Sequence, residues 1–498
     1  MKKFFPLVVP FITLFLISLA CSRETNFANV TPVGTQFAAP TFIYDDPSLT
    51  ARAPTPRFTL TPLPPLAPGE TLIYRVQTDD TLQRIAQRFN VPLNDLLTLN
   101  KMNADEPLAL DQILLVPARI GQTGPSFKIV PDSELVYSLG VAGFNPTEFI
   151  AKRGGYLAKY KEFAEGSMRN GGEIIQVVAL NHSISPRILL AVLEYQTGWV
   201  TNPATPEDLK YPLGIRDPLK QGLYKQLDAF ADQLNLGYYS WRYGSITVID
   251  LVDGTQQRIH PTLNAGTVSL HYALSRRYKL DEWNKAMGQD GVYATFNKLF
   301  GNPFERAIEP LVPEGLTQPD LVLPFVKDVE WLFISGPHAA WLPGSPWAAL
   351  DFAPPATQGG CFKSDQWVTA PTSGLIVRAE NGVVMLDLDG DGREQSGWVI
   401  MFLHIGEEGR IQVGKTVETG DLIGHPSCEG GRSTGTHFHI ARKFNGEWIP
   451  ADSRIPFVLG GWRAHFGQRE YRGTMTKGRD TITACECSSE VSGISSKR

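Results

Sequence analysis

The pattern of apolar residues changes near residue 313, and this change limits the folds open to the chain. Between residues 130 and 312, apolar residues recur at intervals of three and four, as in 174–178 and 188–193. That spacing predicts amphipathic helices. After residue 313, short runs rich in Val, Ile, Phe and Trp alternate with Gly and Asp turns, which is typical of antiparallel strands. We therefore expect a multidomain protein with a mainly helical middle domain and an all-β C-terminal domain.

A smaller unit precedes the helical region. Residues 71–119 read as strand, helix, helix and strand, with Asp80 as a candidate helix cap. The chain has 498 residues, of which 42% are hydrophobic, so a mostly disordered protein is excluded. The net charge of −5 is too small to favour nucleic acid or electrostatic binding to a membrane as partners.

The N-terminus has the pattern of an export signal over residues 1–21. Two lysines precede an uncharged apolar run at 4–20; a membrane anchor is the alternative, but the run is short for spanning and contains two prolines. Cys21 follows Ser18-Leu19-Ala20, which resembles a bacterial lipobox without its usual first Leu. This predicts a lipid on Cys21, the only membrane contact expected, and an envelope location; cleavage and secretion is the alternative.

Residues 22–70 contain nine prolines and no apolar periodicity, which predicts an extended, semi-rigid linker. In an oxidising compartment Cys361 and Cys428 can form a disulfide within the C-terminal domain. Residues 479–498 are interpreted as a polar tail.

The unit at 71–119 resembles a LysM domain. The resemblance is carried by Tyr74-x-Val76, Asp80-Thr81-Leu82, Ile85-Ala86, Asn100 and Leu114-x-Val116-Pro117. Asp79 departs from the family, which usually has Gly there. The resemblance implies binding to N-acetylglucosamine-containing glycans such as peptidoglycan, with Asp79, Thr81 and Ile113 near the sugar.

The stretch 185–199 in the helical region resembles the catalytic helix of lysozyme-like lytic transglycosylases. That family has a Glu-Ser pair where this chain has Gln196-Thr197. A lysozyme-type site needs a protonated carboxylic acid, which an amide cannot replace. We therefore expect residues 130–312 to form a lysozyme-like, non-catalytic domain. A glycosidase that uses Glu194 and an unrelated helical bundle are the alternatives.

The C-terminal domain contains the residue types of a metal site. His437 and His439 lie two residues apart on a predicted strand and therefore share one face. Asp351 is a lone carboxylate in an apolar strand, which requires a cation or donors. A turn at 343–346 brings His338 back beside Asp351. His338, Asp351 and His439 form a ligand set with an open fourth position, which describes a catalytic site for one zinc ion.

The same motifs resemble the lysostaphin/LytM-type zinc metallopeptidases that cut peptidoglycan peptides. The resemblance covers roughly 318–460 and rests on Gly336-Pro337-His338, Ala349-Leu350-Asp351-Phe352, Leu403-His404-Ile405 and residues 433–439. It implies that His404 and His437 are catalytic, as base and oxyanion-stabilising groups. Most members have their first zinc histidine where this chain has Trp347, so the upstream His338, as in the β-lytic branch, is assigned that role.

These inferences converge on an exported cell-wall hydrolase. Its domain at 313–478 is predicted to be a zinc endopeptidase that hydrolyses peptidoglycan cross-links, and its LysM unit directs it to glycan. Two alternatives remain. In one, Trp347 marks a degenerate peptidase that binds the wall and activates another hydrolase; in the other, the helical domain acts as a glycosidase.

Overall fold

The computed structural model describes residues 71–356, 359–485 and 489–497. The predicted signal peptide at 1–21, the lipidation at Cys21 and the linker at 22–70 lie outside the described residues. Among the helices of the described ranges, none combines the length and the apolar character needed to cross a membrane.

The N-terminal unit has the expected order of strand, helix, helix and strand. Its elements are β1 (Thr71–Arg75), α1 (Leu82–Phe89), α2 (Leu93–Asn100) and β2 (Ile113–Pro117). The two strands are antiparallel. The hydroxyl of Thr81 accepts a hydrogen bond from the Arg84 amide and so caps α1. The helical spacing of Leu82, Ile85 and Phe89 places all three in the core of this unit.

The middle region consists of helices with two short β-hairpins. Its helices are α3 (Asp132–Leu135), α4 (Leu139–Ala142), α5 (Pro146–Arg153), α6 (Gly171–His182), α7 (Pro186–Thr197), α8 (Leu223–Arg242), α9 (Ala265–Ser275), α10 (Leu280–Ala286) and α11 (Ala294–Phe300). Its strands are β3 (Lys161–Ala164), β4 (Ser167–Asn170), β5 (Val248–Asp250) and β6 (Gln256–Arg258). Pro186 begins α7, and Gly198, in a left-handed conformation, ends it. The helical content agrees with the sequence pattern, whereas the likeness to lysozyme stays a prediction.

The C-terminal region is antiparallel β, as expected. Its strands are β7 (Trp331–Ala339), β8 (Trp347–Ala353), β9 (Val368–Thr369), β10 (Gly374–Glu380), β11 (Val383–Asp387), β12 (Trp398–Leu403), β13 (Thr416–Val417), β14 (Leu422–Gly424), β15 (Phe438–Phe444), β16 (Glu447–Trp448), β17 (Val458–Leu459), β18 (Trp462–Phe466), β19 (Gly473–Lys477), β20 (Asp480–Thr483) and β21 (Gly493–Ile494). Within the described ranges the main sheet has the order β13-β10-β11-β12-β15-β8-β7-β21, with β16 paired to β15. A second sheet has the order β17-β18-β19-β20.

The two faces of the main sheet belong to different cores. Strand β15 directs Phe438 and Ile440 to one face, where they pack inside the β domain. Ala441 lies on the opposite face, in a buried cluster that continues into the helical region. His439 shares the face of Ala441 because side chains alternate along a strand. The helical region therefore covers the face of the sheet from which this histidine projects.

The segment at 479–498 differs from the polar tail expected from the sequence. Strand β20 pairs with β19, and Gly493–Ile494 pairs with Trp331 and Leu332 at the edge of the main sheet. Ile482 and Ile494 are fully buried. The apolar residues in this segment are few, but Ile482 and Ile494 lie at positions where their strands face the core. The β domain therefore extends beyond residue 478. Helix α12 (Ser489–Ser492) precedes β21.

Candidate metal centre

Three neighbouring strands bring the predicted metal ligands together. In the order β15-β8-β7, His439 lies directly opposite Asp351, and His338 pairs with Ala349, two residues before that aspartate. The hairpin between β7 and β8 is closed by a hydrogen bond from the Ala340 amide to the Pro346 carbonyl, 3.0 Å long. The predicted return of the chain at 343–346 thus places His338 beside Asp351.

The ligand atoms of these residues form a compact cluster. His338 Nε2 and His439 Nδ1 are 3.0 Å apart, and each lies 3.2 Å from Asp351 Oδ1. All three residues are about 95% buried. One ligand atom from each residue lies within 4.8 Å of the others, so a single ion can contact all three.

The second nitrogen of each histidine is engaged with the backbone. His338 Nδ1 lies 2.9 Å from the Gly336 carbonyl, and His439 Nε2 lies 3.0 Å from the Ala340 carbonyl. A carbonyl oxygen only accepts, so these nitrogens carry the protons. In a neutral imidazole the facing nitrogen then has a lone pair. This arrangement fixes the orientation of metal-binding histidines.

Asp351 adds a third electron-pair donor to the cluster. Its Oδ1 atom is buried and has no hydrogen-bond donor among the described residues. Burial alone would raise the pKa of Asp351, but His338, His437 and His439 hold this pKa well below its ordinary value. An ionised carboxylate and two imidazole nitrogens therefore lie within reach of a single ion. The residues therefore fit a cation, and two nitrogens with one oxygen and an open position suit zinc.

The two non-ligand histidines lie beside this cluster. The rings of His404 and His437 are 4.5 Å apart, and His437 Nε2 is 3.7 Å from Asp351 Oδ2. Their Nδ1 atoms each lie 2.8 Å from a carbonyl, of Glu429 and Gly435 respectively. These contacts favour a proton on Nδ1 of each ring. Burial, with a smaller contribution from His437, lowers the pKa of His404 to about 4, so His404 is neutral near pH 7.

Comparisons with known proteins place this site in a family context. Residues 74–117 match the LysM domain family, and residues 128–313 match the family of the LasA N-terminal domain. Over 334 residues the chain is 24% identical to Protease LasA of Pseudomonas aeruginosa, a match that covers 63% of this chain and 75% of that protein. The Protease LasA of a second strain is 23% identical over 335 residues.

The chain is thus similar to Protease LasA and also contains a segment that matches the LysM domain family. The resemblance to a lysostaphin-type peptidase with a LysM domain, which the sequence motifs predicted, is confirmed. The middle region matches the LasA N-terminal domain family and is here named the LasA-type helical domain.

Solved structures that are similar to part of this chain include three peptidases. Pseudoalterin, a deep-sea metalloprotease, is 24% identical; the match covers 34% of this chain and 96% of that chain, with a TM-score of 0.28. A zinc-containing peptidase from Vibrio cholerae is 19% identical, with coverages of 28% and 41% and a TM-score of 0.21. The catalytic domain of lysostaphin from Staphylococcus simulans is 21% identical, with coverages of 25% and 90% and a TM-score of 0.17.

Tyr471 is a neighbour of the cluster that the sequence did not indicate. Its ring stacks on the His338 ring at 4.7 Å, and its carbonyl accepts a 3.0 Å hydrogen bond from the Gly336 amide. Tyr471 has a φ of 67°, a left-handed conformation that is uncommon for a residue with a side chain. It lies between β18 and β19, and no motif connects this loop to the metal ligands, so sequence reasoning had no signal for it.

A disulfide fastens the loops around His404 and His437. Cys361 and Cys428 are bonded, and the residue after Cys428 provides the carbonyl that accepts from His404. On the other side of the disulfide, Phe362 exchanges hydrogen bonds with the Thr436 hydroxyl, directly before His437. The disulfide therefore holds together the two loops that position His404 and His437.

Trp347 takes no part in the cluster. Its ring packs edge-on against Phe466, 5.7 Å away, and lines a separate cavity. The β7–β8 pairing is irregular at three places between Phe333 and Ala339. The structure thus brings His338 to the cluster and directs Trp347 elsewhere.

The three residues implied in glycan binding by the LysM resemblance do not all line one cavity. Asp79 forms ion pairs with Arg242 of α8 and, at 3.2 Å, with Arg454 of the β domain. Asp79 and Thr81 line the cavity that Trp347 also lines. Ile113 lies on β2, half exposed, and is not among the residues that line this cavity. The edge of the LysM domain formed by Asp79 and Thr81 therefore faces the other domains.

The carboxylate of Glu194, in the LasA-type helical domain, is occupied by hydrogen bonds within its own domain. Its Oε2 atom accepts hydrogen bonds from the amides of Val200 and Thr201, at 2.9 and 3.1 Å, and its Oε1 atom accepts one from the Thr201 hydroxyl. Gln196 Nε2, at the position of the expected acid, is buried without a hydrogen-bond partner in the described ranges. Glu194 thus holds the turn after α7.

Proposed function

We propose that this chain is a zinc-dependent endopeptidase that hydrolyses peptide cross-links of peptidoglycan. The observation that carries the proposal is the convergence of three buried ligand atoms, one each from His338, Asp351 and His439, within 4.8 Å of one another. Such a set holds zinc and leaves a position for water or substrate.

The protein residues have distinct tasks in this reaction. Zinc, when bound, supplies a Lewis acid and a water of lowered pKa. The Gly336 and Ala340 carbonyls keep His338 and His439 oriented with their lone pairs towards the site. The Nδ1 atoms of His404 and His437 are held by backbone carbonyls. One of the two rings would take a proton through Nε2, and the other would donate an Nε2–H hydrogen bond to the developing oxyanion.

Glycan targeting and export complete the proposal. The match to the LysM domain family supports binding to the glycan of the cell wall, and the relative's name, Protease LasA, supports peptide hydrolysis. The apolar N-terminus with Cys21 at its end supports export to the envelope, with a lipid on Cys21 as the anchor. The degenerate-peptidase alternative depended on Trp347, and the donor set is complete without that residue.

Purified peptidoglycan provides the direct test. The full chain is incubated with peptidoglycan, and free amino groups and reducing sugars are assayed separately. We expect amino groups to be released, and we expect their release to stop after chelation and to return with zinc. His439→Ala should be inactive, whereas His465→Ala, a matched change in the second sheet, should retain activity. Release of reducing sugars alone would contradict the proposal and favour the glycosidase.

A further inference from the structure

A cavity of about 720 Å³ lies where the LysM domain, helix α8 and the β domain meet. Its walls come from all three regions, and none of the five residues of the metal centre lines it. The volume falls within the range of about 300–1,000 Å³ that is usual for small-ligand sites. The cavity has no role in peptide hydrolysis as described above.

Aromatic rings form two of its walls. Tyr239 on α8 and Tyr243, directly after the last residue of α8, have nearly parallel rings, with 11° between their planes. Trp347 and Phe466 meet edge to face on the β-domain side. Phe466 is 41% exposed and Trp347 is half-buried, so ring surface is accessible on that side. An aromatic wall favours a ligand with flat apolar faces.

The carboxylates at the cavity are already paired with arginines. Four carboxylates line it, and each lies within ion-pair distance of an arginine: Asp79 of Arg242 and Arg454, Asp80 of Arg88, Glu447 of Arg242, and Asp452 of Arg463. The guanidinium of Arg84 lies over the Tyr243 ring, 5.7 Å from its centre. A ligand with a net charge would have to compete with these pairs, so the cavity favours an uncharged ligand.

We propose that this cavity binds an uncharged oligosaccharide jointly through the LysM domain and the β domain. A pyranose ring combines apolar C–H faces, which stack on Trp347 and Phe466, with hydroxyl edges, which bond to the polar groups between the aromatic walls. The proposal rests on the proposed glycan targeting and adds a composite site to it. Asp79 and Thr81, on the LysM side, face the same space.

The position of the cavity connects glycan binding with the metal centre. Pro343 to Trp347 line the cavity and belong to the hairpin between β7 and β8, which carry His338 and Asp351. A hydrogen bond of 2.8 Å from the Gly344 amide to Asp232 Oδ1 joins this hairpin to α8. A glycan held in the cavity would therefore lie at a fixed distance from the peptide-cutting site.

Binding of the N-acetylglucosamine hexamer to the full chain tests this proposal. Affinity is measured by calorimetry for the wild type, Phe466→Ala and Trp347→Ala. The control Phe163→Ala removes a ring that is 67% exposed on the β3–β4 hairpin, outside the cavity. Ile113→Ser reports on a site confined to the LysM domain. Zinc content and thermal unfolding are recorded for each variant, and Phe466→Ala, at an exposed position, keeps the test valid if Trp347→Ala fails to fold.

We expect Phe466→Ala and Trp347→Ala to bind the hexamer about tenfold more weakly and Phe163→Ala to bind it as the wild type does. Hexamer binding that is equal in all cavity variants, or is lost only in Ile113→Ser, would overturn the composite site and leave glycan targeting intact. Absence of hexamer binding by the wild type would instead contradict the glycan targeting itself. Binding of a stem peptide at this cavity, in place of the hexamer, would overturn the choice of ligand.

Discussion

Glu194 in the LasA-type helical domain and Asp351 in the β domain are two carboxylates in similar sequence settings and opposite environments. Each lies in a largely apolar segment and has an aromatic residue next to it in the chain. Three donors from Val200 and Thr201 saturate Glu194, whereas Asp351 Oδ1 faces imidazole nitrogens and has no donor among the described residues. A carboxylate whose lone pairs are already used serves the fold, and one whose lone pairs are left open to a common point can bind an ion.

The largest effect is expected at the ligand that the sequence left most in doubt. We predict that His338→Ala abolishes zinc binding and lowers peptide hydrolysis by more than about 100-fold, since even outer partners of metal ligands contribute about 10–100-fold. Metal analysis and amino-group release measure this, with His465→Ala as the control. Retention of zinc and activity in His338→Ala would show that Asp351 does not share its ion with His338.

A smaller effect, on turnover and not on zinc binding, is expected for His404. His404→Ala should retain zinc, because His404 is not part of the ligand set, and should lower kcat by about 10²–10⁴-fold through loss of a proton acceptor or oxyanion donor. Zinc content and kcat are measured on the same preparation. Loss of zinc together with activity would make His404 a ligand and would change the donor set around Asp351.

Glu194 should matter for stability and not for chemistry. We predict that Glu194→Gln leaves peptide hydrolysis unchanged and lowers the free energy of unfolding by about 1.5–3 kcal/mol, the usual contribution of a hydrogen bond to a charged group. Denaturation of this variant is compared with Glu148→Gln, which changes an exposed glutamate paired only with Lys152. A sugar-releasing activity in the wild type that disappears in Glu194→Gln would reverse the comparison.

The smallest effect is expected at Trp347. Trp347→Phe should leave zinc content and peptide hydrolysis at the wild-type level, because the indole lies against Phe466 and away from Asp351. Metal analysis and the peptide assay are sufficient. A marked loss of zinc would show that the β7–β8 hairpin transmits packing changes to the metal ligands.

Local patterns in the sequence predicted the helices and strands. The spacing of residues along a strand and the position of a turn predicted which metal-ligand candidates lie together. The spacing of His437 and His439 defined a common strand face, and the turn at 343–346 brought His338 to Asp351. The aromatic contact from Tyr471 was not predictable, because it depends on how a hairpin of the second sheet lies over β7. The pairing of Gly493–Ile494 with β7 was missed because two residues carry too little periodicity to indicate a strand.

The placement of the LysM edge was also beyond the sequence. The family pattern placed Asp79 beside a sugar, but its ion pairs with Arg242 and Arg454 join residues far apart in the chain. Long-range ion pairs of this kind leave no trace in local spacing. The same limitation hid the cavity, which exists only where the three regions meet.

Two residues beside the metal centre adopt a backbone conformation that glycine would adopt more easily. His404 has a φ of 66° and Tyr471 a φ of 67°, and each such conformation costs about 1 kcal/mol or more in a residue with a side chain. Glycine in place of Tyr471 would relax the backbone but would remove the ring that stacks on His338. At both positions, a side chain beside the proposed metal site is therefore accompanied by local backbone strain.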